Sequence, residues 1–127
     1  MRIISFETAQ IISEHHLSSI LNKTSNRSNI FYSYNGNLEI LDPYNIRYFG
    51  DNVYLYSDMV YPACTLNELF EFLLNRNIFV SIRMSNSGFY YWCIYIDKRE
   101  LMTSGDSLKE EYEDCLDEGL REALKYI

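Results

Sequence analysis

The dipeptide Asn35-Gly36 constrains the fold of this chain more than any other local feature. It lies between residues 30–34 and 37–41, two short segments rich in apolar side chains. Asn-Gly is well suited to the positive φ angles of a type I′ turn, so the pattern predicts a β-hairpin. Because strands joined by so short a turn run antiparallel, we expect an antiparallel sheet.

Two more strand pairs follow the same pattern. Residues 46–49 and 53–57 alternate tyrosine with aliphatic side chains on either side of a glycine-containing turn. Residues 78–84 alternate apolar and other side chains, and a second glycine-containing turn leads into residues 89–97. Short alternating runs bounded by turn residues are typical of strands, so the sequence predicts six strands in three pairs.

Three segments have apolar residues at the i, i+3 and i+4 spacing of a helix that buries one face. They predict helices over residues 6–22, 65–76 and 106–126. We therefore expect an α+β fold, a mainly antiparallel sheet with an N-terminal helix, a short middle helix and a C-terminal amphipathic helix packed on it. A chain of 127 residues without an internal repeat predicts one domain over residues 1–127.

The expected helix starts rest on side-chain caps. Ser5 or Thr8 is placed to cap the first helix, and Thr65–Glu68 and Ser107–Glu110 have the spacing of capping boxes for the other two. Gly119 lies on the apolar stripe of the last helix, where a missing side chain lets a helix approach a sheet closely.

The chain is acidic, with 11 Lys+Arg against 18 Asp+Glu and a net charge of -7. This is the wrong sign for a protein that neutralises phosphates, so direct nucleic-acid binding is not expected. Residues 1–7 lack the pattern of a signal peptide, and no stretch has the apolar length of a membrane helix. We therefore expect a cytosolic protein with no membrane partner.

The sequence contains no recognisable catalytic constellation, and we predict no catalytic residue, metal or cofactor. The neighbouring pair His15-His16 has no i+4 partner of ligand type. Cys64, Cys93 and Cys115 are an odd number without a C-x-x-C pair, so we expect reduced and mostly buried thiols.

Tyrosine is abundant, with 12 residues in the chain. Tyr54 and Tyr56 alternate with aliphatic residues, and Tyr91 and Tyr95 lie in a strand whose two faces are both apolar. Something must therefore cover the second face of that strand. The first helix is one candidate cover, and a partner protein is the other, because tyrosine is enriched at protein interfaces.

The last predicted helix carries a row of carboxylates, Glu110, Glu113, Asp114, Asp117 and Glu118. One interpretation is an ordinary solvated helix face. The other is a phosphate mimic that occupies the basic channel of a nucleic-acid enzyme. In either case we expect these residues to lie off the apolar stripe, so that charge reversal at Asp114, Asp117 and Glu118 leaves the fold intact.

Two segments of the second half carry a family resemblance. Residues 61–73 read Tyr-Pro-Ala-Cys-Thr-Leu-Asn-Glu-Leu-Phe-Glu-Phe-Leu, and residues 112–124 read Tyr-Glu-Asp-Cys-Leu-Asp-Glu-Gly-Leu-Arg-Glu-Ala-Leu. With the hairpin between them, they resemble small accessory proteins carried by phages and prophages. The resemblance implies a host-takeover or counter-defence setting, such as that of anti-CRISPR inhibitors.

Together these features predict a non-enzymatic, phage-encoded interaction protein. Its expected partner is a host protein, a basic nucleic-acid-binding defence effector of the CRISPR type, bound through the acidic helix and the tyrosine-rich surface. Two alternatives stay open: a small Mg²⁺-dependent hydrolase or nuclease that uses carboxylates at strand ends, and a self-assembling virion or accessory structural protein. The oligomeric state is also open, a dimer included.

Overall fold

The structure is a computed structural model, and the fold is α+β with antiparallel sheets, as predicted. The described residues fall into two compact units: the first unit is residues 3–65, and the second unit is residue 2 together with residues 66–127. The prediction of a single domain stays a prediction. The residues that the structure describes are 2–17, 30–40, 45–50, 52–56, 58–105 and 107–127.

The described residues of the first unit form one helix and five strands. They are α1 (Phe6–Glu14), β1 (Ile30–Tyr32), β2 (Leu38–Ile40), β3 (Ile46–Phe49), β4 (Asn52–Leu55) and β5 (Asp58–Pro62). The strands form one antiparallel sheet in the order β2-β1-β5-β4-β3. Helix α1 packs against β5, and Phe31, Val53 and Val60 form a buried apolar cluster of the sheet.

Helix α1 is shorter than the sequence predicts. Ser5 caps it as expected, because its hydroxyl accepts a hydrogen bond from a backbone N–H of the first turn. The helix ends at Glu14, and His16 adopts a left-handed φ of 59°. A left-handed residue at this position stops an α-helix, although glycine is the residue that usually fills it. The rest of the predicted range, residues 18–22, lies outside the described residues.

The hairpin at Asn35-Gly36 is confirmed, but the predicted type I′ turn is wrong. The N–H of Gly36 donates to the carbonyl of Ser33 at 3.0 Å, and the N–H of Ser33 donates to the carbonyl of Asn37 at 2.8 Å. Gly36 has a φ of 89°, whereas Asn35 does not have a positive φ. This is the longer hairpin loop, in which a regular turn is followed by one left-handed glycine.

In the second unit, the described residues form a three-stranded antiparallel sheet and two α-helices. Its elements are α2 (Leu66–Leu74), β6 (Ile78–Met84), β7 (Tyr90–Ile96), β8 (Arg99–Thr103), α3 (Tyr112–Ala123) and a final 3₁₀ turn (Leu124–Tyr126). The strand order is β6-β7-β8. Helices α2 and α3 contact each other and β6, and α3 also contacts β7.

The last helix begins later than its apparent capping box. The backbones of Lys109 and Tyr90 exchange two hydrogen bonds of 2.8 and 2.9 Å, and Glu111 is still extended. Because residue 109 pairs with a strand, the chain cannot turn into a helix at Ser107–Glu110. The capping box predicted there is therefore wrong, and α3 begins at Tyr112.

Candidate functional site: the aromatic face of the three-stranded sheet

The two faces of the sheet in the second unit differ in character. In β6, Ile78 and Val80 are buried, whereas Phe79 and Arg83 are exposed. The register of β6 with β7 places each exposed position opposite a residue of β7 that points the same way. We call this side the aromatic face, defined by Phe79, Ser81, Arg83, Tyr91, Cys93 and Tyr95.

Helix α3 covers the other side of the sheet. A Cβ atom added at Gly119 would lie 2.8 Å from Cγ1 of Val80 and 3.0 Å from Cβ of Trp92. The helix backbone thus approaches the sheet as closely as glycine permits, which explains a helix-breaking residue on the apolar stripe. The aromatic face points away from α3.

Side chains on the aromatic face contact one another. The ring of Phe79 lies 6.0 Å from the ring of Tyr95 and 5.7 Å from the ring of Phe70 in α2. Nη2 of Arg83 donates a hydrogen bond of 2.7 Å to the hydroxyl of Tyr95. The charge interaction with Tyr95, followed by that with Cys93, raises the pKa of Arg83, so the guanidinium keeps its charge. The face therefore combines aromatic rings with a fixed positive charge.

The side chains of the aromatic face differ in their exposure to solvent. Phe79 is 40% exposed and Arg83 is exposed, whereas Tyr91 and Tyr95 are half-buried. Cys93, at the centre, is buried. The rings of such half-buried tyrosines are available for contact at a low cost in side-chain entropy.

Tyr54 and Tyr56 belong to the first unit. Tyr54 is half-buried in β4, with its ring 5.7 Å from the ring of Phe49. Tyr56 is 76% exposed in the turn that follows β4. Of the four predicted tyrosines, the structure therefore brings Tyr91 and Tyr95 together on one sheet face, and it places Tyr54 and Tyr56 on and beside another strand.

Glu118 is a structural carboxylate of the second unit. It accepts hydrogen bonds from Nε1 of Trp92 at 3.0 Å and from Oγ of Ser107 at 3.2 Å, and it lies 2.9 Å from Nζ of Lys109. Burial raises the pKa of Glu118, but these hydrogen bonds and the charge of Lys109 outweigh burial and lower it. The ionised carboxylate is thus the form that the structure favours.

The other four predicted carboxylates differ in their burial and in their ion pairs and hydrogen bonds. Asp117 is only 4% exposed and pairs with Arg121 at 3.4 Å, so its expected position off the apolar stripe is wrong. Arg2 binds Asp114 through its guanidinium, and its backbone N–H donates to Glu113 at 3.1 Å. Glu110 is exposed and lies before the start of α3. The five carboxylates do not form one solvated helix face.

Sequence reasoning missed Phe79 and Arg83 as members of the candidate site. The alternation of apolar and other side chains in β6 is visible in the sequence, but it indicates only which side of the strand is apolar. Only the register with β7 shows that Phe79 lies opposite Tyr95 and that Arg83 lies opposite Tyr91.

No known protein family, curated protein or solved structure matches this chain.

Cys64, Cys93 and Cys115 are buried free thiols, as predicted. The described residues include no group of three or more His, Cys, Asp or Glu side chains placed to hold a metal ion. Within the same part of the chain, none of the helices has both the length and the apolar character needed to cross a bilayer.

Proposed function

We propose that this chain is a non-enzymatic interaction protein that binds another protein through the aromatic face. The observation that carries the proposal is the juxtaposition of Phe79, Tyr95 and Arg83 on the side of the sheet that α3 does not cover. Aromatic residues and arginine are enriched in protein interfaces and dominate their binding energy.

A protein partner fits this surface better than a nucleic acid. The bases of single-stranded nucleic acid stack on aromatic rings, but a groove that holds them also needs a run of cations along the backbone. The aromatic face supplies Arg83 alone, and the whole chain has a net charge of -7. Binding to phosphates would therefore be opposed by the field of the protein.

We propose a host protein with a basic surface as the partner, acting in the host cytosol. The net charge of -7 supports this partner class, because complementary charge accelerates encounter. The resemblance of residues 61–73 and 112–124 to phage accessory proteins points to a nucleic-acid-handling defence protein of the CRISPR-effector type. We call residues 110–118 the acidic segment. Its exposed carboxylate Glu110 is best placed to meet such a surface, whereas Asp114 is exposed but pairs with Arg2.

Paired tyrosine variants test the proposal. The chain is immobilised and used to capture proteins from the host, and the captured set is compared for the wild type, Tyr91→Ala and Tyr95→Ala. Tyr126→Ala is the matched control, because Tyr126 is an exposed tyrosine of the same unit in the terminal 3₁₀ turn. We then measure the affinity of a purified captured partner for each variant.

The expected result is a loss of about 10-fold or more in affinity for Tyr91→Ala and for Tyr95→Ala, since central aromatic contacts each contribute over about 1.4 kcal/mol. Tyr126→Ala should bind like the wild type. Circular dichroism verifies that all three variants fold. Equal affinity of all variants for every captured protein would show that the aromatic face is not the interface.

A further inference from the structure

A concave region of about 690 Å³ opens on the aromatic face, entirely within the second unit, and Phe79, Ser81, Arg83 and Tyr95 form part of its lining. It lies between the end of α2, the outward side of β6 and the turn that joins β7 to β8. The rest of the lining is Leu74, Asn77, Asp97 and Lys98. The volume is in the range of sites that bind small organic molecules, about 300–1,000 Å³.

Main-chain contacts fix one end of this concave region. The N–H of Asp97 donates to the carbonyl of Asn77 at 3.0 Å, which ties the turn after α2 to the turn after β7. Asp97 and Lys98 have φ values of 50° and 69°, which form a tight two-residue hairpin turn. Because this turn is held by its backbone, the side chain of Lys98 starts from a fixed position.

The walls of the concave region are apolar and accessible. Leu74 and Phe79 are each 40% exposed, which is high for side chains of this kind. The ring of Phe79 is oriented by its contacts with the rings of Phe70 and Tyr95. A flat apolar molecule would cover both Leu74 and the Phe79 ring, and the burial of their exposed area would favour binding.

The charges of the lining select the ionic class of the ligand. Arg83 and Lys98 are cationic and Asp97 is anionic, so the lining has one surplus positive charge in a chain of net charge -7. A single carboxylate matches that surplus. A multiply charged phosphate would exceed it, and the field of an acidic protein would oppose it.

We propose that this concave region binds a small aromatic carboxylate, with its ring system on Phe79 and Leu74 and its carboxylate toward Lys98 and Arg83. The inference concerns a free small molecule that would share this surface with the protein partner proposed above, because Phe79, Arg83 and Tyr95 belong to both sites. Titration of the isolated protein tests it without any partner. Arginine and lysine both hold carboxylates by charge-assisted hydrogen bonds, whereas the apolar walls hold the ring.

A pair of matched probes tests both parts of the inference. Indole-3-propionate and tryptamine have the same ring and the same two-carbon spacer, but the first ends in a carboxylate and the second in an ammonium group. Each is titrated into ¹⁵N-labelled full-length protein, and backbone amide shifts are followed. Lys98→Gln removes one cation of the lining, and Lys125→Gln is the control at an exposed lysine of the terminal 3₁₀ turn.

Indole-3-propionate should give saturable shifts that centre on Leu74, Asn77, Phe79 and Lys98. We expect tryptamine and the Lys98→Gln variant to show affinities about 10-fold lower, the usual effect of one charge-assisted hydrogen bond. Lys125→Gln should match the wild type. The inference is overturned if indole-3-propionate gives no saturable shifts, if the shifts centre elsewhere, or if tryptamine or Lys98→Gln shows unchanged affinity.

Discussion

The indole Nε1–H of Trp92 donates a hydrogen bond of 3.0 Å to Oε1 of Glu118. It joins the central strand of the second unit to the helix that covers it. The same carboxylate also binds Ser107 and Lys109, which precede that helix. A residue that sequence reasoning assigned to a partner surface thus connects three parts of one unit.

Glu118→Gln should destabilise the protein. The substitution keeps the shape of the side chain but removes the negative charge. That charge pairs with Lys109 and strengthens the hydrogen bond from the indole N–H of Trp92. Hydrogen bonds to a charged group typically contribute about 1–3 kcal/mol, so we expect a loss in this range near neutral pH. Urea unfolding measures it. Glu110→Gln is the control at an exposed position of the same acidic segment, and a loss as large for the control would contradict the structural role of Glu118.

The effect of Glu118→Gln should depend on pH. The hydrogen bonds and the charge of Lys109 outweigh the effect of burial and hold the pKa of Glu118 below its ordinary value of 4.5. A carboxylate whose pKa is lower in the folded than in the unfolded protein stabilises the fold at pH values above its pKa in the unfolded protein. This stabilisation is lost as the pH falls through its lower pKa in the folded protein. The difference in unfolding free energy between the wild type and Glu118→Gln should therefore be largest above pH 4.5 and decrease as the pH falls below it. A difference that does not change across this interval would contradict the assignment.

Gly119→Ala should destabilise the second unit although alanine favours helices. The added methyl group would lie 2.8 Å from Cγ1 of Val80. Overpacking of this kind costs about 1–3 kcal/mol, which exceeds the gain of about 1 kcal/mol in helix propensity. In a Val80→Ala background the nearest atom is gone, so Gly119→Ala should cost less there. Equal costs in the two backgrounds would show that the contact with Val80 is not the cause.

The three thiols should react slowly in the folded protein. Burial, reinforced by the charge of Glu118, raises the pKa of Cys115 to about 11, so little reactive thiolate is present near neutral pH. Cys64 and Cys93 are buried as well. A chromogenic disulfide reagent should therefore label the native protein slowly and label three thiols per chain once the protein is unfolded. Rapid labelling of the native protein would contradict the buried positions.

Local sequence rules predicted the parts of the fold that are decided locally. The hairpin at Asn35-Gly36 and the Ser5 cap depend on neighbouring residues alone. Strand β8 was missed because its turn, Asp97-Lys98, contains no glycine and yet has two positive φ values. The start of α3 was misplaced because Lys109 pairs with Tyr90, a contact between residues far apart in sequence. Such contacts override a capping pattern.

The candidate site was predictable to a similar extent. The alternation of Tyr91 and Tyr95 places them on one strand face, which the sequence indicates directly. The addition of Phe79 and Arg83 depends on the β6–β7 register, which no local pattern specifies. The burial of Asp117 could not be read from a helical wheel, because Arg121 supplies its charge partner one turn later.

Substitutions at two positions of the acidic segment separate its role in stability from its role in binding. Asp117→Lys would place a cation at a buried position beside Arg121, so we expect a loss of about 3 kcal/mol or more in stability. Glu110→Lys should change stability by less than about 0.5 kcal/mol, because Glu110 is exposed. Calorimetric melting of both variants measures the contrast.

Glu110→Lys then serves as the charge probe for partner binding. If a basic partner meets this segment, the variant should bind more slowly than the wild type, and the salt dependence of its association rate should be weaker. Tyr95→Ala should instead speed dissociation with little change in salt dependence, because it removes buried contact area rather than charge. An unchanged association rate for Glu110→Lys at low salt would mean that the acidic segment takes no part in recognition, and the partner would then be held by the aromatic face alone.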